Sequence, residues 1–182
     1  LKQSHTNPFF LYFATTVPHG PTQAKRSWKA DPRLTAVGYL DKPLTIQPSR
    51  DTIPKRLRAA GLSVNDNTAN LLWLDDALGA LLDTLEATGE IDNTVIFFFN
   101  DHGQLAKGTV YQGGVHNPSI VWRKGGFPAG ATSHALISNV DFAPTILDLA
   151  QVDYSQHKFD GQSFLPYLNG ETPPEELSLI HI

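Results

Sequence analysis

The sequence is 182 residues long, 41% hydrophobic and 18% charged, with a net charge of −4. That is enough chain for one domain with its own core, and it offers no basic stripe for nucleic acid. Cysteine is absent, which excludes disulfides, thiolate metal sites and a cysteine nucleophile within these residues.

Taken in order, Pro8-Phe9-Phe10-Leu11-Tyr12-Phe13-Ala14-Thr15 predicts a buried strand, aromatic-rich and preceded by the turn-prone Asn7. It runs into Val17-Pro18-His19-Gly20-Pro21, a tight loop around one histidine. From Thr22 to Leu62 the periodicity is poor and prolines recur, which predicts an irregular excursion long enough to line a cleft. A short helix from about Ile53 to Ala60 stops at Gly61. Asn67 or Thr68 then caps the clearest helix, which runs to about Thr88. Leu71, Leu74, Leu78, Leu81, Leu82 and Leu85 give it one apolar face, and Gly89 ends it. Asp75, Asp76, Asp83 and Glu86 read as its solvated acids, with Asp75-Asp76 better explained as surface charge than as a metal site.

Ile91-Asp92-Asn93 turns the chain into Val95 to Phe99, a continuous apolar run suited to a strand buried on both faces of a parallel sheet. Its end changes abruptly to Asn100-Asp101-His102-Gly103, with Lys107 following in a glycine-rich loop. Pro118 to Arg123 predicts a third strand. Asp141 is the expected cap of a further helix, with Pro144 in its first turn and Ile146, Leu149 and Ala150 facing the core. Phe159 to Gly170 is a turn-bounded segment. Helix and strand alternation implies an α/β fold, a mixed, mainly parallel sheet flanked by helices.

Two features of the ends suggest a gene fragment. The sequence contains no Met, and Leu1-Lys2-Gln3-Ser4-His5 is not a signal peptide. After Pro173-Pro174-Glu175-Glu176 the chain closes in Leu177-Ser178-Leu179-Ile180-His181-Ile182, an apolar tail; residues 171–182 read as non-native. No apolar run approaches the ~20 residues of a membrane span.

Chemistry concentrates where the polar loops follow the strands. Ligands of open α/β sheets bind outside the carboxyl ends of strands. There Asp101 and His102 can share a divalent cation, or act as a base and its orienter. Lys107, flanked by glycines, can reach an oxyanion, and His19 can donate to an anion or a leaving group. In a parallel sheet the two loops would meet at one edge, describing a site for a metal and a tetrahedral oxyanion. His116, His134 and His181 carry no such signal.

These residues resemble the sulfatase family. The resemblance rests on Pro8-Phe9-Phe10-Leu11-Tyr12-Phe13 with Pro18-His19-Gly20-Pro21, on Asp92-Asn93-Thr94-Val95 with Asp101-His102-Gly103, and on Lys107-Gly108-Thr109 with Tyr111-Gln112-Gly113-Gly114. Val140-Asp141 with Pro144-Thr145, and Asp160-Gly161-Gln162-Ser163 with Leu165-Pro166, continue it in family order across residues 7–170. The resemblance implies an alkaline-phosphatase-like α/β sheet, a bound calcium or magnesium, and a formylglycine nucleophile. By motif, Asp101 and His102 would ligate the metal, while Lys107 and His19 would contact the sulfate ester. Residues 1–170 would then be the central to C-terminal part of a catalytic domain acting on a sulfated small molecule or glycan, outside the cytoplasm as is usual for the family.

The departures are as informative. The family's nucleophile arises in a Cys/Ser-x-Pro-x-Arg motif, and Ile46-Gln47-Pro48-Ser49-Arg50 imitates only its tail, with Ile46 at the nucleophile position. The upstream metal-binding aspartates are missing, so the nucleophile is expected upstream of this chain, which alone would be inactive. His116 and Asn117 stand where the family commonly has arginine and valine. A phosphate or phosphonate ester hydrolase of the same superfamily, and a non-catalytic anion- or glycan-binding module, are the alternative readings.

Overall fold

A computed structural model of the chain describes residues 7–19, 28–35, 37–103 and 105–171. They divide between two units, Leu1–Ile91 and Asp92–Ile182.

In the first unit a small antiparallel hairpin pairs β1 (Leu34–Thr35) with β2 (Gly38–Tyr39). Gly38 sits at φ +128, a conformation that side chains avoid, and its carbonyl accepts a 2.8 Å bond from Thr35 Oγ1. A 3-10 turn at Arg50–Thr52 leads into α1 (Ile53–Ala59), where Pro54 occupies the first turn and its missing N–H costs nothing. The long helix α2 spans Asp66–Thr88 and stops at Gly89, left-handed at φ 75.

The cap of α2 is Asn65, two residues before Asn67 and three before Thr68. Asn65 Oδ1 accepts from the Thr68 N–H at 3.0 Å, and the Asn65 N–H donates to Thr68 Oγ1 at 3.2 Å. Thr68 is therefore the reciprocal partner in a capping box. Replacing Asn65 by Ala should cost about 1 kcal/mol, measurable as a lowered denaturation midpoint with unchanged slope.

The α1–α2 contact is a small apolar core. Ile53, Leu57 and Ala69 are almost fully buried, with Trp28, Val64, Leu72 and Trp73 packed against them. Beside it, Arg56 donates to both oxygens of Asp76, at 2.7 and 2.5 Å. Asp76, expected on the solvated face, is instead buried, because α1 crosses that side of the helix with a guanidinium to meet it. Leu71, expected on the apolar face, is 53% exposed.

The predicted strand at Pro8–Thr15 does not form. Phe10, Leu11, Tyr12 and Phe13 are exposed, and the segment joins no ladder among the described residues. An apolar pattern identifies a segment that could be buried, but a strand exists only when neighbouring backbone accepts and donates its hydrogen bonds.

In the second unit β3 (Val95–Phe99) pairs antiparallel with β4 (Ser119–Arg123), Phe97 opposite Val121. Alternate side chains of β3 meet an aromatic cluster: Phe99 stacks on Phe142 at 4.4 Å, and Phe97 stands edge-on to Phe142 and Phe164 at 5.6 and 6.3 Å. Both ladders among the described residues are antiparallel, so the expected mainly parallel sheet is not what these strands build. The connection through residues 100–118 reverses the chain. A parallel neighbour would need a crossover over the sheet.

Within that connection lies α3 (Gln112–Val115). Beyond β4 come α4 (Phe142–Leu149) and α5 (Leu165–Leu168). Asp141 precedes α4 as expected, yet its carboxylate does not cap the helix. It accepts from the Ser138 N–H at 2.7 Å and the Gln162 N–H at 2.8 Å, while Thr145 Oγ1 donates to the Asp141 carbonyl and accepts from Phe164 N–H. Those bonds fasten the 160–164 segment to the start of α4, and a Cβ at Gly161 would strike the Val140 carbonyl. Ala150 is exposed, whereas Ile146 and Leu149 are half-buried as expected. Residues 172–182 of the anomalous tail lie outside the described residues. No described helix is long and apolar enough to cross a membrane.

Candidate functional site

The loop leaving β3 folds back on itself. The Gly103 N–H donates to the Gly114 carbonyl at 2.7 Å, and the N–H groups of Leu105 and Ala106 both donate to the Gly113 carbonyl, at 3.0 and 3.1 Å. A side chain at Gly103 would collide with the Gly113 carbonyl, and one at Gly114 with the carbonyls of Thr109 and Ala106. Here the glycines serve close backbone approach rather than an unusual φ. The sequence associates Gly108, Gly113 and Gly114 with access for an anion beside Lys107. The structure gives Gly103 and Gly114 another role, holding the loop shut at its base.

Asp101 and His102 sit on this loop directly after β3. The Asp101 side chain is 84% exposed and that of His102 28%. His102 Nδ1 lies 2.6 Å from the Gly103 carbonyl. A carbonyl oxygen only accepts, so that contact places the proton on Nδ1 and leaves Nε2 as an acceptor in the neutral ring. Nε2 in turn faces Asp101 Oδ2 at 3.5 Å. With Nε2 an acceptor, the two atoms do not bond each other, and at that separation one cation can be shared between them.

Donation of the other ring nitrogen to a backbone carbonyl is also how metal-ligating histidines are held in orientation. The pair therefore fits one edge of a cation's shell, one carboxylate oxygen and one imidazole nitrogen. It does not fill a shell, since an oxygen-seeking cation such as calcium takes about six to eight ligands. Among the described residues no cluster of three or more acidic or imidazole side chains is disposed to hold a metal.

Lys107 stands exposed on the same loop, at the turn into Gly108 (φ 84) and inside the segment closed by Gly103 and Gly114. His19 belongs to the first unit. It is exposed at the end of a turn whose backbone is closed by its own N–H to the Thr16 carbonyl at 3.0 Å, with Thr15 Oγ1 donating to the Val17 carbonyl. Gly20 and Pro21, the remainder of that loop, lie outside the described residues. The structure thus joins Asp101 to His102 and carries Lys107 on their loop, while His19 is placed only within its own unit.

Arg50, the last residue of the imitation motif, stacks over Trp73 at 5.2 Å and donates to the Asp31 carbonyl at 2.7 Å. A shallow groove of about 450 Å³ beside α2 is lined by Ile46, Ala80, Asp83, Thr84, Ala87 and Thr88, and includes none of the four predicted site residues.

The profile of the family described as Sulfatase matches residues 1–152. The chain is 31% identical over 189 residues to an N-acetylglucosamine-6-sulfatase of Homo sapiens, covering 92% of this chain and 33% of that protein. An N-acetylglucosamine-6-O-sulfatase of Bacteroides thetaiotaomicron is 38% identical over 121 residues, 62% of this chain and 22% of that protein. An Extracellular sulfatase SULF-1 homolog of Drosophila melanogaster is 28% identical over 184 residues, 92% of this chain and 16% of that protein. The chain spans about a third or less of the length of these relatives.

Proposed function

The chain belongs to the sulfatase family, whose fold is alkaline-phosphatase-like α/β, and from that premise we propose that the protein containing it hydrolyses organic sulfate esters, with the loop after β3 forming one wall of the site. The observation that carries this reading is the His102 ring, held by the Gly103 carbonyl with its other nitrogen turned toward the Asp101 carboxylate.

In this reading Asp101 and His102 would hold calcium or magnesium together with ligands from outside these residues. Such a cation, when bound, supplies positive charge to the sulfate oxygens. Lys107 adds a second positive charge from the exposed turn of the loop, offsetting charge that develops on the ester as its bond breaks. By motif, His19 would be the proton donor to a departing oxygen. The attacking oxygen would come from a formylglycine elsewhere in the full-length protein, because this chain has no cysteine and its two Pro-x-Arg segments, at Pro48 and Pro54, carry Ile46 and Thr52 at the nucleophile position. Two of the relatives are named for the 6-sulfate of N-acetylglucosamine, and one is named extracellular. They favour a sulfated amino-sugar glycan as substrate and a compartment outside the cytoplasm.

The test is sulfate release from N-acetylglucosamine-6-sulfate, with a phosphate monoester run alongside. Full-length protein should turn over the sulfate ester in preference, and the 182-residue chain should release none. Robust, cation-dependent turnover by the short chain would contradict the missing nucleophile. Preference for the phosphate ester would move the protein to another branch of the superfamily.

A further inference from the structure

The Asp101–His102 pair is gripped on both sides by the segment around α3. After the pair, the Gly103 N–H is taken by the Gly114 carbonyl at 2.7 Å. Before it, the Asn100 carbonyl accepts a 3.0 Å bond from Nδ2 of Asn117, seventeen residues on and partly buried. The Asn100 carbonyl and the Asp101 N–H share one peptide plane, so fixing that oxygen fixes the direction in which Asp101 leaves the strand. A carboxylate as exposed as that of Asp101 has little packing to steer it, and takes its direction from the backbone. His102, next along, is held through Gly103.

We propose that Asn117 is a positioning residue which, with Gly114, brackets the Asp101–His102 pair and sets the separation of its donor atoms. The proposal rests on the reading of that pair as cation ligands. It assigns a role to a residue at which this chain departs from the family pattern, since the valine common at that position could not make the bond. Groups that orient metal ligands from behind typically change cation affinity or activity by about 10- to 100-fold when removed.

The experiment compares wild type with Asn117→Val, which keeps bulk and removes the donor, and Asn117→Gln, which keeps the carboxamide on a longer arm. Hydrogen exchange is followed at Gly103 in the 182-residue chain, and calcium affinity is measured by titration in the full-length protein. Asn117→Val should exchange the Gly103 N–H about tenfold faster and bind calcium about tenfold more weakly, with Asn117→Gln recovering part of both. Unchanged exchange at the Phe97 amide, in the β3–β4 ladder, shows that the valine variant is folded. Gly103 exchange within twofold of wild type, in a protein that still binds calcium, would overturn the bracket. Faster exchange in a full-length protein that binds neither calcium nor magnesium would overturn the ligand reading, and the positioning role with it.

Discussion

Arg56→Ala should destabilise the first unit by about 3 kcal/mol, near the lower end of the range for breaking a buried ion pair. The Asp76 side chain is only 5% exposed, and both its oxygens are occupied by the Arg56 guanidinium. The pair also holds the Arg56 charge in place, raising its pKa through the hydrogen bond to Asp76. Removing Arg56 leaves a carboxylate facing protein rather than water. Arg56 itself is a third exposed, so water entering the vacated space should keep the cost from reaching the top of that range. The double variant Arg56→Met with Asp76→Leu should recover most of the loss, since an apolar pair carries no desolvation cost. Denaturant unfolding of the three proteins decides it. A loss below about 0.5 kcal/mol would mean the pair behaves as a screened surface bridge.

Asp101→Ala in the full-length protein should lower the rate of sulfate release by at least about a hundredfold, since losing even a group behind a metal ligand costs about 10- to 100-fold. The same change should leave stability within about 0.5 kcal/mol, because the side chain is 84% exposed. That contrast separates a chemical role from a structural one. Activity within about threefold of wild type would remove Asp101 from the site. Loss of activity together with a large loss of stability would reassign it to the fold.

Local elements were legible where local chemistry decides them. The apolar runs Val95–Phe99 and Ser119–Arg123 are strands, and α2 ends where Gly89 can turn left-handed. The start of α2 was misplaced because Asn65, Asn67 and Thr68 are all plausible caps by type; geometry alone shows Asn65 and Thr68 bonding each other. Asp76 was misjudged because its partner lies twenty residues away on another helix. Sheet direction was not legible for a similar reason. An apolar run such as Pro8–Thr15 needs partners that its own sequence does not specify before it can be a strand, and a buried-looking β3 takes its neighbour from the loop that returns the chain to it.

The site divides the same way. Asp101, His102 and Lys107 stood out as a charged cluster after a strand, and they do share one loop. The bond from His102 to Gly103 and the bracket formed by Gly114 and Asn117 depend on that loop folding back, which no spacing rule reveals.

The central claim, that this loop binds a cation serving sulfate-ester hydrolysis, is tested most directly by cation depletion and readdition in the full-length protein, with sulfate release from N-acetylglucosamine-6-sulfate as the readout. The account predicts that chelation stops wild-type release and that calcium or magnesium restores it. For Asp101→Ala, restoration should stay incomplete at the concentration that saturates wild type. A wild-type rate indifferent to chelation, or an Asp101→Ala protein with the same cation dependence as wild type, would contradict it.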